Sequence, residues 1–247
     1  MSGRKFFTAT QLKCIALFTM LMDHLYAVLF PTQVWMTYVG RLAFPLFAFE
    51  LVQGYLHTSN LRRYAKRLLI LALISEIPFD MVADGSFFFI GHQNVAWTLL
   101  AGLAACYCAD HLTSEETPRS RRYRYLLGVV AAWLLPQFLL TDYNTDGVIL
   151  MLLFWITRKG GVFNGAIQAV VMFVMWQFIF KGRTMMIGTF EFQTQCFALL
   201  ALPLIWLYNG KKGTRNKAFQ YAAYAFYPVH LFILGIVFMI QMAAMPS

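Results

Sequence analysis

Asp23 and His24 stand side by side in an apolar run, Gln11–Phe30, that also carries Lys13. An aspartate inside a membrane helix costs roughly 2.5–3.5 kcal/mol on insertion scales, so such a group is rarely idle. Histidine is the side chain whose ordinary pKa lies near neutral pH, so His24 is the natural general base for an incoming nucleophile. Lys13 lies eleven positions earlier. At ~100° per residue the two share one helix face, about 16 Å apart along the axis. Asp23 is about 100° round the helix from His24 and opens on the adjacent side. That direction suits either of two partners: a histidine from another span, with His230 the candidate, or Arg41. The Arg41 guanidinium could neutralise Asp23 or Glu76, or stabilise a developing oxyanion.

Further polar groups gather at the ends of apolar runs. Glu76 and Asp80 close the third run, and Gln93 and Asn94 open the fourth. Glu76 and Asp80 could position an acceptor, and Asn94 could donate a hydrogen bond to it. His230 follows Pro228 in the last run, where Tyr221, Tyr224 and Tyr227 also offer it ordinary partners. Pro45, Pro78 and Pro228 sit beside these groups. Proline breaks are tolerated in spans where a cavity or a neighbour re-satisfies the backbone. Each buried charge has a plainer reading as well, an ion pair that only knits helices together. Glu50 and His57 share a face of the second run with Gln53 and Gly54; His92 and His111 fall in loops and carry no assigned role.

The run Leu61–Arg67 (LRRYAKR) supplies Arg62, Arg63, Lys66 and Arg67. One reading is topology and lipid headgroup contact. The other is a docking site, with Lys13, for a polyphosphorylated donor.

The elements that must position these residues are membrane helices. Of 247 residues, 60% are hydrophobic and only 13% charged. A soluble domain has about 45–50% apolar and about 25% charged residues. The composition therefore predicts an all-α, polytopic transmembrane bundle forming one integral membrane domain. Nine apolar runs appear, at 12–30, 34–57, 64–79, 94–110, 124–140, 147–157, 162–180, 192–208 and 219–243. With the N-terminus inside, seventeen of the twenty basic residues, Arg4 and Arg215 among them, fall on the inner side. The outer loops hold Asp80, Asp84, Asp142 and Asp146 against Lys181 and Arg183. This asymmetry predicts nine spans, N-in and C-out. It also accounts for the net charge of +9 without a nucleic-acid partner. Arg4 and Lys5 do not introduce a convincing signal peptide, because the run that follows contains Asp23 and His24; it reads as a retained first span. Cys14, Cys106, Cys108 and Cys196 all lie in predicted spans, without CxxC or zinc spacing, so no metal centre is implied.

Met20–His24 (MLMDH), Gly40–Phe49 (GRLAFPLFAF), Ser75–Asp80 (SEIPFD), Gln93-Asn94-Val95 and Phe226–Leu231 (FYPVHL) together resemble the TraX family of conjugal-transfer membrane proteins. The match extends over most of the chain. The resemblance implies a polytopic acetyltransferase of the bacterial inner membrane, the family being associated with acetylation of the pilin N-terminus. It also implies kinship with the membrane acyltransferase-3 superfamily, whose first span carries a basic residue and then, after ten intervening residues, a histidine. Lys13 and His24 have that spacing. In that superfamily acyl-CoA comes from the cytoplasm and the acyl group reaches an extracytoplasmic acceptor. The superfamily usually has ten or more spans, against nine here.

These observations lead to an acetyl-CoA-dependent membrane acyltransferase. Lys13, Arg62, Arg63, Lys66 and Arg67 are expected to hold the donor. His24, Asp23, Arg41 and Glu76 are the expected catalytic set, and Asp80, Asn94 and His230 the acceptor-binding set. The acceptor is a pilin-like N-terminus, a glycan or a small molecule, and the bilayer is the remaining partner. A proton-coupled transporter would use the same intramembrane Asp, His and Glu as a relay. Such transporters often show inverted repeats, and no internal repeat appears here. A non-catalytic assembly protein is the other rival.

Overall fold

The computed structural model describes residues 5–180, 182–214 and 216–244. Arg4, Lys181 and Arg215 of the charge map lie outside the described residues. The chain is mostly helical and forms two compact units, one from Met1–Glu50 and Ile156–Phe226, the other from Leu51–Trp155 and Tyr227–Ser247.

In the first unit, α1 (Ala9–Val28) begins with a capping box. The Thr8 hydroxyl accepts from the Gln11 amide, and the Gln11 side chain accepts from the Thr8 amide, which satisfies two otherwise orphaned donors. The chain before it and its first residue are laced to the segment after α9 (Ala201–Trp206) by Phe6 N–H to Leu207 C=O and Ala9 N–H to Lys211 C=O. The predicted span at 34–57 is not one helix. It divides into α2 (Trp35–Gly40) and α3 (Ala43–His57), with Arg41 and Leu42 in a turn. Pro45 explains the break. It cannot donate to the Arg41 carbonyl and its ring crowds that group. In the first turn of α3 its missing N–H costs nothing.

The run at 162–180 forms α8 (Val162–Val174) and continues as a π-turn, Met175–Ile179. The run at 192–208 becomes a 3-10 helix, Thr194–Leu200, followed by the short α9. Between them lies an element that the all-helical expectation omits. Strands β1 (Thr184–Ile187) and β2 (Phe190–Gln193) pair antiparallel, Ile187 opposite Phe190 and Thr184 opposite Gln193. Gly188, at φ 64°, takes the first central position of the two-residue turn, the place where a tight hairpin of this kind needs glycine.

The second unit holds α4 (Leu61–Ala83), α5 (Val95–Thr113), α6 (Arg119–Phe138), α7 (Asn144–Ile156, its last residue in the first unit) and the part of α10 (Lys217–Ala243) from Tyr227 onward. Asn60 caps α4 by accepting from the Arg63 amide at 2.9 Å. Helices α5 and α6 pack closely, as do α4 and α5. Their seams use small residues: Ala105, Ala132 and Val148 form one buried cluster, and Gly235 lets α10 approach Met81 of α4.

Among the described residues, three helices are long and apolar enough to cross a membrane: Val95–Thr113, Val162–Ile179 and Lys217–Ala243. The run at 147–157 belongs to α7, which rises about 20 Å, against a hydrocarbon core of about 30 Å. In α4 and α6 the first turns carry the arginines of the inner charge map.

Candidate functional site

The first unit contains a polar cluster built on the last two turns of α1. Asp23 projects toward α2. The Thr37 hydroxyl donates to Asp23 Oδ1 at 2.6 Å, and Arg41 Nη2 donates to Thr37 Oγ1 at 3.1 Å. Arg41 Nη1 lies 3.8 Å from Asp23 Oδ2. Thr37 and Arg41 are four apart and so share one helical face, which aims both at the same carboxylate. Thr37 is 1% exposed, so its bond to a charged acceptor contributes about 1.5–3 kcal/mol. Gly40 completes the seat: a Cβ there would come within 2.8 Å of Asp23 Cγ and Oδ1. Of the two partners open to Asp23 in the sequence, Arg41 is the one the structure provides. His24, half-buried, follows on the adjacent side of α1.

Lys13, eleven residues before His24, has a carboxylate partner. Its Nζ lies 3.3 Å from Glu50 Oε2, with the Glu50 side chain only 10% exposed. Helical spacing alone could place Lys13 on the His24 face but could not find Glu50, which comes from α3. A further contact absent from the sequence reading is Arg183. Its guanidinium donates to the Tyr26 hydroxyl and lies 5.3 Å from that ring's centroid. Arg183 thus reaches α1 two residues beyond His24. In the sequence it registers only as one of few outer-loop cations.

The second unit contains a separate cluster at the junction of α4 and α5. Glu76 Oε2 accepts from Asn94 Nδ2 and from Trp97 Nε1, the latter at 2.7 Å; Oε1 accepts from the Asn94 amide at 3.3 Å. Asn94 is fully buried, donates also to the Ala72 carbonyl at 2.8 Å, and caps α5 through the Ala96 amide at 3.0 Å. The sequence places Glu76 and Asn94 at facing ends of successive apolar runs; it gives no sign of Trp97, on the first turn of α5. One turn further along α4, buried Asp80 accepts from the Phe89 amide at 2.9 Å. Among the described residues its other oxygen has no hydrogen-bond partner. His230 is buried with its ring 6.0 Å from that of Tyr227. The Tyr227 hydroxyl in turn meets the backbone of Val95. The structure thus groups Lys13, Asp23, His24 and Arg41 in one unit, and Glu76, Asp80, Asn94 and His230 in the other.

Arg62, Arg63, Lys66 and Arg67 occupy the first two turns of α4, all exposed. Arg67 lies 5.7 Å from the Tyr64 ring centroid.

His92, left without a role by the sequence, closes the loop between α4 and α5. Its Nε2 is 3.8 Å from Asp142 Oδ1, and its ring meets Phe79 edge-on. Backbone bonds from Gln93 N–H to Leu140 C=O and from Asp142 N–H to Gln93 C=O lace the same loops. The Asp142 carboxylate beside it raises the His92 pKa above its ordinary value, against the opposing effect of burial. A raised folded-state value stabilises the protein while the imidazole is charged. The contribution is fully present below a pH of about 6.5, the unfolded value, and is lost as pH rises through the folded one. Thermal midpoints of wild type and His92→Asn, followed over pH, are therefore expected to differ at mildly acidic pH and converge toward alkaline pH. A gap that widens as pH rises would contradict the pairing.

The family described as TraX protein matches residues 8–238. The chain is also similar to a protein of Dichelobacter nodosus named probable fimbrial assembly protein FimC, serogroup H1. The two are 31% identical over 244 residues, covering 92% of this chain and 94% of that protein. No solved structure matches. With a family match over nearly its whole length and helices apolar enough to cross a bilayer, the chain is a membrane protein and belongs to the TraX family.

Proposed function

We propose that the protein is an integral acyltransferase of the bacterial inner membrane, nine-spanning with its N-terminus inside, that moves an acetyl group from acetyl-CoA to an extracytoplasmic amine or hydroxyl. The observation that carries the reading is the fixed carboxylate beside His24. Thr37, Arg41 and the bare backbone of Gly40 hold Asp23 in one orientation. A histidine next to so constrained an anchor stands on a rigid turn, which general-base chemistry requires.

The reaction balances as follows. His24 takes the proton of the acceptor N–H or O–H as that atom attacks the thioester carbonyl. The new C–N or C–O bond forms, the C–S bond breaks, and the proton passes to the departing thiolate. Arg41 steadies Asp23 or the developing oxyanion. The donor's phosphates dock on Arg62, Arg63, Lys66 and Arg67, the exposed cations of α4. Lys13, engaged by Glu50, fixes the inner end of α1. The fimbrial relative's name favours a pilin-like N-terminus among the acceptors.

Calorimetry of the purified protein with acetyl-CoA tests the reading. Saturable binding, weakened when Arg62 and Arg67 are both changed to Gln, is the expected result. No heat of binding in the wild type would sink it in favour of an assembly role. Substrate flux in proteoliposomes free of CoA would favour a transporter.

A further inference from the structure

The two edges of the β-hairpin are treated differently. In a hairpin closed by two residues, Ile187 and Phe190 form a hydrogen-bonded pair, and the pairs then alternate. The outward-facing backbone groups therefore belong to Glu191 and Gln193 on β2, and to Thr184 and Met186 on β1. The β2 edge is capped. Gln177, on the π-turn, donates to the Glu191 carbonyl at 2.8 Å and accepts from the Gln193 amide at 3.1 Å. One side-chain amide thus takes the place of a neighbouring strand. No such cap lies on β1: among the described residues, the outward groups of Thr184 and Met186 have no hydrogen-bond partner. Natural sheets cover, charge or shorten such an edge unless it is used.

The open edge is also tied to the polar cluster of α1 and α2. Arg183, immediately before β1, holds Tyr26 of α1, and its carbonyl accepts from the Thr194 amide at 2.9 Å. On the other strand, Phe192 meets Phe197 edge-on at 5.9 Å, and Phe197 stacks on Tyr38 at 4.5 Å. Tyr38 is the neighbour of Thr37. Met186, 64% exposed, and Ile187, 55% exposed, add apolar surface beside the edge.

We propose that the open edge of β1, at Thr184 and Met186, receives an extended polypeptide segment as a third strand, the acceptor being the occupant. This rests on the reading of His24 as the transfer base. N–H and C=O groups spaced two residues apart are matched by a peptide strand; a lipid or a small metabolite offers no such ladder. A strand laid there runs with one end toward Arg183 and Tyr26, so its terminus arrives at the turn of α1 that bears Asp23 and His24.

The test uses the full chain in detergent micelles and a fluorescein-labelled peptide of alternating valine and threonine with a free N-terminus. Its fluorescence anisotropy is expected to rise saturably. Met186→Pro removes one outward N–H and spares the ladder, because Met186 faces Glu191 in a non-hydrogen-bonded pair. It is expected to weaken binding about tenfold, a loss of one well-made hydrogen bond or slightly more. Met186→Thr, which keeps the N–H, is expected to bind like wild type. The same peptide with alternate amides N-methylated is expected not to bind, and this arm holds even if Met186→Pro fails to fold. Absence of saturable binding, equal affinity in Met186→Pro, or equal binding of the N-methylated peptide would overturn the proposal. So would a Met186→Pro change that only converts a dimer to a monomer by light scattering, which would assign the edge to a second copy of the chain. No acyl donor is present in the assay. Peptide binding without acetyl-CoA binding would retire the transferase reading and leave the strand site. Acetyl transfer indifferent to Met186→Pro would do the reverse.

Discussion

His24→Ala is expected to lower acetyl transfer by about 10²- to 10⁴-fold, the usual contribution of a positioned general base, while the protein still inserts and folds. The fold is expected to survive for local reasons. Alanine has the better helix propensity, His24 is only half-buried, and Asp23 and Tyr26 supply contacts that order this end of α1 and stay in place in the variant. The comparison that gives the result meaning is Gly40→Ala. That change keeps His24 but drives a methyl group against the Asp23 carboxyl. If the rigid anchor matters because it aims the base, Gly40→Ala loses much of the transfer rate with donor binding intact. The readout is acetylation of an amine acceptor by membranes containing each variant, alongside calorimetric binding of acetyl-CoA. Transfer by His24→Ala at near the wild-type rate would show that the base lies elsewhere.

What the sequence revealed of this site follows the range of each signal. Local geometry was readable. The adjacency of Asp23 and His24 and the shared face of Lys13 and His24 follow from helix pitch, and so does the four-residue step from Thr37 to Arg41, although Thr37 was not singled out. Partners across the fold were not readable. Nothing in the spacing of α1 names Glu50 for Lys13 or Arg183 for Tyr26, since those contacts are set by how separate segments pack. The hairpin was hidden for a different reason. A charge count treats residues 181–191 as one loop between spans, and Thr184–Ile187 alone is too short to show a strand period. Pro45 lies in an apolar run, 34–57, that reads as one span, whereas a proline that close to a start ends one helix and opens the next. The gathering of polar groups at the ends of apolar runs does bring out Glu76 and Asn94, because one closes a run and the other opens the next; Trp97 and His92 escape it as an apolar ring and a loop residue.

Glu76→Ala is expected to destabilise the second unit by on the order of 3 kcal/mol, seen as a clear drop in thermal midpoint in detergent. The carboxylate is the common acceptor for the Asn94 side chain, the Asn94 amide and the Trp97 indole. Truncating it strands these donors, and Asn94 is fully buried, so water cannot take over at low cost. Glu76→Gln separates that structural role from a chemical one. A glutamine oxygen at the Oε2 position keeps the bonds from Asn94 Nδ2 and Trp97 and gives up only the 3.3 Å contact with the Asn94 amide. Its midpoint is therefore expected to lie close to wild type. If Glu76 serves by holding the α4–α5 junction, acetyl transfer follows stability, and Glu76→Gln stays active where Glu76→Ala does not. If Glu76 exchanges a proton during transfer, Glu76→Gln is as inactive as Glu76→Ala despite its preserved midpoint. A carboxylate with donors on both oxygens is already committed to anchoring, so the first outcome is the expected one. A stable but inactive Glu76→Gln would move Glu76 from the frame of the site into its chemistry.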